Sequence, residues 1–165
     1  MVSGGLNTMK PRMPKPPAFD PFSLLESSAS GYPPPYNEAQ TRRYNRRLSD
    51  HAGLTKYGVV LTRIVPGGQS SHRHAHSTQD EFVWVLEGDV VLNTDAGEQT
   101  LRAGMCAAFP ASSGDAHQFL NRGDRDVLLL VVGDRSDGDV VTYPDVDMHL
   151  IRNQGMFHKD GRKYE

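Results

Sequence analysis

The stretch of sequence that decides the fold is GQSSHRHAHSTQDEFVWVLEG, residues 68–88. Histidines alternate in it at positions 72, 74 and 76, and Glu81 follows after a polar turn. Because residues two apart on a β-strand point to the same face, His74 and His76 can direct both imidazoles to one point. Glu81 begins the next β-type run, so an antiparallel return would place its carboxylate opposite the two rings. The stretch therefore predicts three metal-binding side chains that converge between two strands.

Short β-type runs separated by turn residues surround this stretch. Their turns carry Gly, Pro, Asn and Asp, as in Pro66-Gly67-Gly68 and Asp95-Ala96-Gly97. Strands this short and evenly spaced, with no helical pattern between them, favour an all-β sandwich or barrel. The predicted strands are 57–65, 81–86, 90–94, 98–101, 105–109, 117–120 and 127–132.

A fourth metal-binding side chain is predicted farther along the chain. His117 opens the run HQFLN and follows the turn Gly114-Asp115-Ala116, which is able to return it to the mouth of a barrel. Two histidines and one carboxylate suit non-haem iron(II), and a third histidine extends the choice to manganese, nickel, cobalt or zinc. We therefore expect one divalent metal ion (iron, manganese, zinc or nickel) as cofactor, held by His74, His76, Glu81 and His117.

Two blocks of residues match the motifs of the cupin superfamily. The first block is Gly68, His74, His76, Glu81 and Gly88, and its spacing agrees at every step. The second block is Gly104, Pro110, Gly114, His117 and Asn121. This block departs from the motif at one place, because three residues separate Pro110 from Gly114 where the motif has one. The loop at the mouth of the site is therefore longer than in the family pattern.

The chain also resembles a subgroup of small single-barrel cupins. These proteins carry Asp-Glu-Phe at the metal glutamate, here residues 80–82, and a Tyr-Pro-Asp-x-Asp segment, here residues 143–147. The resemblance covers about residues 55–147 and implies a jelly-roll barrel (a double-stranded β-helix), usually dimeric, with one ion near one end. Members of the subgroup are often labelled sugar-phosphate isomerases, a label that itself rests on fold, and fold does not fix function.

The length of 165 residues suits one domain with one core. We expect a proline-rich N-terminal arm with a short helix over 37–48 in residues 1–50, the barrel in 51–147, and a tail in 148–165. The helix is expected because NEAQTRRYNRRL lacks Gly and Pro. The arm carries apolar side chains that could lie against the barrel or a second subunit: Phe19, Phe22, Leu24 and Leu25.

The strand that begins at Glu81 also predicts a homodimer. If Glu81 points inward, Val83 and Val85 do too, and the residues between them face outward, among them Phe82 and Trp84. Leu86 is expected to face outward as well. Two large aromatic side chains on the outside of a small barrel need cover, which the arm or a partner subunit would provide.

Charge and composition exclude several classes of partner. The formal net charge is −2, from 18 basic and 20 acidic residues without long runs of one sign, so we expect neither nucleic-acid nor membrane partners. The N-terminus has no apolar run, so neither a secretion signal nor a membrane anchor is expected there. The single cysteine, Cys106, is expected to be a buried inert thiol and fits a reducing compartment, so a cytoplasmic location is expected.

The predicted function is a metal-dependent enzyme that acts on a small polar molecule, such as a sugar or a keto acid. The ion would polarise a carbonyl or hydroxyl, as in an isomerase, or activate oxygen, as in a dioxygenase, and the sequence leaves both open. The alternative is a non-catalytic cupin that binds or senses a small molecule. Elemental analysis and turnover would separate these functions.

An isomerase would also need a base near the reacting carbon. His72 shares strand parity with His74 and His76 and lies one step earlier, at the rim of the predicted site. It is the candidate catalytic residue, either beside the metal ligands or facing the substrate; the alternative is an exposed histidine. No other base is visible, since Glu81 is assigned to the metal.

Overall fold

The computed structural model describes residues 17–38 and 42–165, and within them the chain is almost entirely β-structure. One five-residue α-helix, α1 (Leu48–Ala52), and one 3-10 turn (Pro21–Ser23) are the helical elements of these ranges. None of the described helices is long and apolar enough to cross a membrane. The prediction of an all-β fold is confirmed. The described strands are β1 (Arg43–Arg47), β2 (Tyr57–Ile64), β3 (Ala75–His76), β4 (Glu81–Glu87), β5 (Asp89–Thr94), β6 (Gly97–Arg102), β7 (Cys106–Phe109), β8 (Gln118–Leu120), β9 (Val127–Asp134), β10 (Val140–Tyr143), β11 (Met148–Ile151) and β12 (Gly155–Phe157).

The strands form the two faces of a jelly-roll barrel. One face is a five-stranded sheet of order β1-β2-β9-β4-β7. The other face combines the sheets β12-β11-β10-β3 and β6-β5-β8, which an antiparallel bridge between His74 and His117 connects. The core lies between the faces because strands of both contribute to one cluster of buried side chains: Ile64, Val83, Val85, Val90, Leu92, Leu101, Phe119, Val127 and Leu129.

The inward and outward sides of β4 follow the predicted alternation. Val83 and Val85 are fully buried, whereas Phe82 is 39% and Trp84 is 43% exposed. Leu86 is only partly exposed, because the register with β9 shifts between Val85 and Glu87 and the strand bulges there. Glu81 shares this side of the strand with the buried Val83 and Val85 and therefore faces the barrel interior.

The helix predicted over 37–48 is wrong for Arg43–Arg47, which form the edge strand β1; residues 39–41 lie outside the described ranges. β1 pairs with β2 along its whole length, from Arg43 opposite Ile64 to Arg47 opposite Val60. A helix here would have had too thin an apolar face to pack, whereas pairing with β2 satisfies the backbone without one. The helix α1 begins only where β1 ends, and Gly53, with φ of 75°, closes it.

The described part of the arm, residues 17–38, lies against the barrel, while residues 1–16 are outside the described ranges. Ser27 forms an antiparallel bridge with Asn45 of β1. Farther along, Tyr32 packs with Tyr143 and Met148 in a second apolar cluster. The arm thereby contacts the barrel next to the strand that carries His76.

The exposure of Cys106 and the structure of the segment 148–165 differ from expectation. Cys106 is exposed, so the prediction of a buried thiol is wrong; the residue lies on the edge strand β7, opposite the outward-facing Trp84. The segment 148–165, predicted as a tail, contains β11 and β12, which extend the sheet of β10. Short strands of this kind depend on their neighbours for hydrogen bonds and leave a weak pattern in the sequence.

Candidate metal centre

Three of the four predicted metal ligands come together on either side of the turn that joins β3 to β4. His76 belongs to β3, His74 lies two residues before it, and Glu81 opens β4. One donor atom from each of these residues lies within 4.8 Å of the others, close enough for a single ion. His76 Nε2 is 3.4 Å and His74 Nε2 is 3.9 Å from Glu81 Oε2.

His117 lies immediately before β8 and reaches the same cluster. The backbones of His74 and His117 exchange two hydrogen bonds, of 3.0 and 2.8 Å, which fix the two rings side by side. His117 Nε2 lies 3.7 Å from Glu81 Oε1, beyond normal hydrogen-bond length. Both ring nitrogens are buried without a hydrogen-bond partner among the described residues. An unpartnered buried polar group costs about 1–3 kcal/mol, so this donor set fits a metal ion that would use the free nitrogen.

Other groups orient the ligand rings from behind. His74 Nδ1 lies 3.0 Å from the carbonyl oxygen of His72, to which only an N–H can donate. His76 Nδ1 lies 2.7 Å from Oδ2 of Asp139, a fully buried carboxylate. Each contact favours the proton on Nδ1 and leaves Nε2 with its lone pair toward the centre of the cluster. Asp139 belongs to the site although no sequence motif marks it.

The electrostatics of the cluster favour the metal-binding protonation states of His74 and Glu81, but not of His76. Burial lowers the pKa of His74 to about 4, so this ring is neutral near pH 7, as a metal ligand must be. Burial alone would raise the pKa of the Glu81 carboxyl, but the surrounding imidazoles of His117, His76 and His74 hold it well below its ordinary value. Burial lowers the pKa of His76, but Glu81 and Asp139 outweigh it and the net shift is upward. A metal ion would therefore compete with a proton for His76.

The cluster opens into a cavity of about 400 Å³, a size typical of small-molecule sites. The arm contributes Tyr32 to its wall, and β1 contributes Arg43, Asn45 and Arg47. The three β1 residues could not be identified from the sequence, because the segment was predicted as a helix, where no inward side of a strand can be defined. The available signal was the spacing of Arg43, Asn45 and Arg47 at every second position, which places them on one side of a strand.

His72 is not brought into the ligand cluster. Its Nε2 lies 2.9 Å from the carbonyl oxygen of Tyr36, and its ring packs edge-on against Tyr32 and Tyr36, at centroid distances of 5.0 and 5.8 Å. Residues 70–73 form bends instead of a regular strand, so the alternation that relates His74 to His76 does not extend to His72. A catalytic role for His72 stays a prediction.

Comparisons with known proteins agree with this architecture. The family model "Cupin domain" matches residues 60–133. A structure from Silicibacter pomeroyi, described as a sugar phosphate isomerase from a cupin superfamily, is 42% identical, with a TM-score of 0.85 over 90% of this chain and 97% of that chain. A protein from Acidithiobacillus ferrooxidans, provisionally described as a sugar phosphate isomerase, is 32% identical, with a TM-score of 0.67 over 74% of this chain and 80% of that chain. No curated protein matches the chain.

Proposed function

Because this chain belongs to the cupin superfamily, we propose that it is a metal-dependent enzyme that isomerises a small hydroxy-carbonyl compound of the sugar or keto-acid type. The observation that carries the proposal is the convergence of His74, His76 and Glu81 beside the unpartnered buried ring of His117. Fold alone would not carry it, since cupin-like barrels serve many functions. The names of the two similar proteins support the isomerase class.

Three imidazoles and one carboxylate, from His74, His76, His117 and Glu81, would hold the ion. When bound, a divalent ion supplies Lewis-acid chemistry, which polarises a carbonyl or hydroxyl oxygen. The cavity walls would exclude water through apolar side chains such as Phe119, which is 2% exposed.

Polar groups on the opposite wall would orient the substrate. The Asn45 side chain is held by a hydrogen bond of 2.9 Å from the Thr62 hydroxyl to its carbonyl oxygen, which leaves its amide N–H groups to donate. Burial raises the pKa of the Tyr32 hydroxyl, so this group keeps its proton near pH 7 and can donate to a substrate oxygen. These residues bind and orient; none of them supplies the carboxylate base of an ordinary isomerase.

Metal analysis of the purified full-length protein tests the proposal. We expect stoichiometric metal in wild-type protein expressed with ample metal, and its loss in His76→Ala. The affinity should fall by more than about 100-fold, since even a residue that only supports a ligand is worth about 10- to 100-fold. His72→Ala is the matched control and should retain the metal. Wild-type protein without stoichiometric metal would contradict the proposal.

Turnover is tested on the metal-loaded protein. Aldoses, ketoses and their phosphates are incubated in deuterium oxide, and NMR follows exchange of the proton on the carbon next to the carbonyl. Isomerase chemistry predicts exchange in wild-type protein and none in His76→Ala. Ligand binding without exchange or any other turnover would instead support a non-catalytic sensor.

A dioxygenase is the second candidate, and one observation favours it. Glu81 is the only carboxylate among the described residues that line the cavity, and it is held by the histidines, so a free carboxylate base is missing there. Oxygen chemistry needs less from the protein, because the metal carries the difficult step. Substrate-dependent oxygen consumption by the iron-loaded protein would distinguish it from isomerisation, which proceeds without oxygen.

We also propose that the protein is a cytoplasmic homodimer joined through the outer face of β4. Phe82 and Trp84 remain exposed there, beside a groove of about 480 Å³ lined in part by Tyr57 and Val132. Exposed apolar patches of this kind mark interaction surfaces. We expect a dimer by sedimentation, and Trp84→Lys should weaken it by at least about 30-fold, as for an interface hot spot. Gln99→Lys, at an exposed position of β6 in the other sheet, is the control for an added lysine and should dimerise as wild type. A wild-type monomer at all concentrations would contradict the proposal.

A further inference from the structure

Two arginines of the edge strand β1, Arg43 and Arg47, line the cavity beside the predicted metal ligands. Arg43 is paired with the fully buried Ile64, and Arg47 is paired with Val60, a residue of the cavity wall. Arg46 points to the opposite side of the strand. There its Nε donates a hydrogen bond to the carbonyl oxygen of Leu24 in the arm. Arg43, Asn45 and Arg47 thus form one wall of the cavity, which we name the arginine end.

The two inward arginines differ from the outward ones in their partners. Arg46 pairs with Glu26, and Arg63 pairs with Glu26 and Asp126. Within residues 17–38 and 42–165, neither Arg43 nor Arg47 has a carboxylate within 4.0 Å. Arg43 donates to the carbonyl oxygen of Ser70, while its buried Nε has no hydrogen-bond partner among the described residues. A buried cationic group is ordinarily paired, so the part-buried Arg43 has an unused capacity for a negative charge, and the exposed Arg47 adds a second positive charge to the same wall.

The net charge of the side chains that line the cavity is also positive. The wall carries the two positive charges of Arg43 and Arg47 against the single negative charge of Glu81, and a divalent ion would add to the excess. A cavity with walls of low dielectric constant concentrates such a field. An anionic group is therefore favoured in it over a neutral one.

The arginine end is close to the metal cluster, our name for the four predicted ligands His74, His76, Glu81 and His117. A chain of polar contacts joins Arg43 to His74. Arg43 donates a hydrogen bond to the carbonyl oxygen of Ser70. The Ser70 and Ser71 hydroxyls are 3.3 Å apart, and Ser71 Oγ is 3.1 Å from His74 Nδ1. On the other side, Arg47 also lines an adjoining cavity of about 200 Å³. One small molecule could therefore contact the metal cluster and the arginines together.

We propose that Arg43 and Arg47 bind an oxyanion group of the substrate, a phosphate or a carboxylate. The planar guanidinium group of arginine matches both oxyanions and forms two parallel hydrogen bonds with either. The inference rests on the proposed function, because it assigns these residues to the substrate of that same site. It names them as specificity-determining residues: the hydroxy-carbonyl part would lie at the metal cluster and the oxyanion at the arginine end.

Calorimetric titration of the full-length protein tests the site, with inorganic phosphate and acetate as separate probes. Both are titrated into metal-loaded and metal-free samples, so that binding to the metal is separated from binding to the arginines. We expect phosphate to bind, and Arg43→Gln and Arg47→Gln each to bind it about 10- to 100-fold more weakly, as for a lost charge-assisted hydrogen bond. Arg102→Gln, an exposed residue at the end of β6, is the control for loss of one positive charge and should bind as wild type.

Each result has a definite consequence. Phosphate and acetate affinities that do not change in Arg43→Gln and Arg47→Gln, or the absence of binding of either probe to wild-type protein, would overturn the oxyanion site. Arg47 is exposed, so its substitution keeps the test valid if Arg43→Gln fails to fold, and Arg43→Lys should retain more affinity than Arg43→Gln. Tighter binding of phosphate identifies a phosphate group, and equal or tighter binding of acetate identifies a carboxylate. Metal content of the same samples separates the proposals: metal without anion binding contradicts only the oxyanion site.

Discussion

The two ends of the cavity differ in how their charges are compensated. At the metal cluster, the carboxylate of Glu81 lies within 3.4–3.9 Å of three imidazoles, and Asp139 supports His76 from behind. At the arginine end, Arg43 and Arg47 line the same cavity, but neither pairs with a carboxylate among the described residues. A cluster whose charges are already compensated can stay assembled in the absence of substrate. An end with two uncompensated cations gains most of its stabilisation when an anion arrives.

Among residues outside the four predicted ligands, the largest effect on this difference is expected from Asp139→Asn. The Asp139 carboxylate is fully buried, and its Oδ1 also accepts the backbone N–H of Thr78 at 3.1 Å. An amide cannot hold the His76 proton on Nδ1 with the same strength, so the ligand ring loses its orientation and basicity. We expect metal affinity to fall about 10- to 100-fold, measured by competition with a chelator, while phosphate binding to metal-free protein is retained.

The matched control for this variant is Asp137→Asn, in the same turn, where the side chain is exposed. It should bind metal as wild type does. Unchanged metal affinity in Asp139→Asn would mean that the metal cluster is complete without support from behind. In that case the compensation of charge at this end would depend on Glu81 alone.

The sequence predicts the metal cluster well because its geometry is local. His74 and His76 share a face through strand alternation, and Glu81 follows by one turn, so three donors depend on a stretch of eight residues. His117 comes from a distant segment behind a loop longer than the family motif. The loop is accommodated because Ser112 adopts a positive φ of 59° and donates its N–H to the His76 carbonyl oxygen at 3.1 Å. The extra residues thereby turn back toward β3.

The sequence does not predict the arginine end because its geometry is tertiary. Arg43–Arg47 carry few apolar side chains, and their strand conformation depends on pairing with β2, which local propensity cannot reveal. Without the strand there is no basis for turning Arg43 and Arg47 inward and Arg46 outward. Asp139 was missed for a related reason, since an aspartate in a turn is ordinarily read as a turn former.

The smallest effect is expected from Glu26→Gln, which removes the compensation of the outward arginines. Hydrogen bonding to Arg63 holds the pKa of the Glu26 carboxyl below its ordinary value; burial opposes this shift and the charges of Arg63 and Arg46 add to it. A carboxyl whose pKa is lower in the folded state stabilises the fold above its unfolded pKa and loses that contribution as the pH falls through its folded pKa. The Glu26 side chain is 19% exposed, so screening limits the loss to about 1 kcal/mol at pH 7.

Urea unfolding of wild type and Glu26→Gln at neutral and acidic pH measures this contribution. The difference in the free energy of unfolding should be full at neutral pH and should vanish once the pH is below the folded pKa of Glu26. Glu98→Gln, in the more exposed pair with Arg122, should change the stability less. A difference that persists unchanged in acid would show that the charge of Glu26 is not its source. The outward arginines would then be as uncompensated as the inward ones, and a missing carboxylate would no longer distinguish the arginine end.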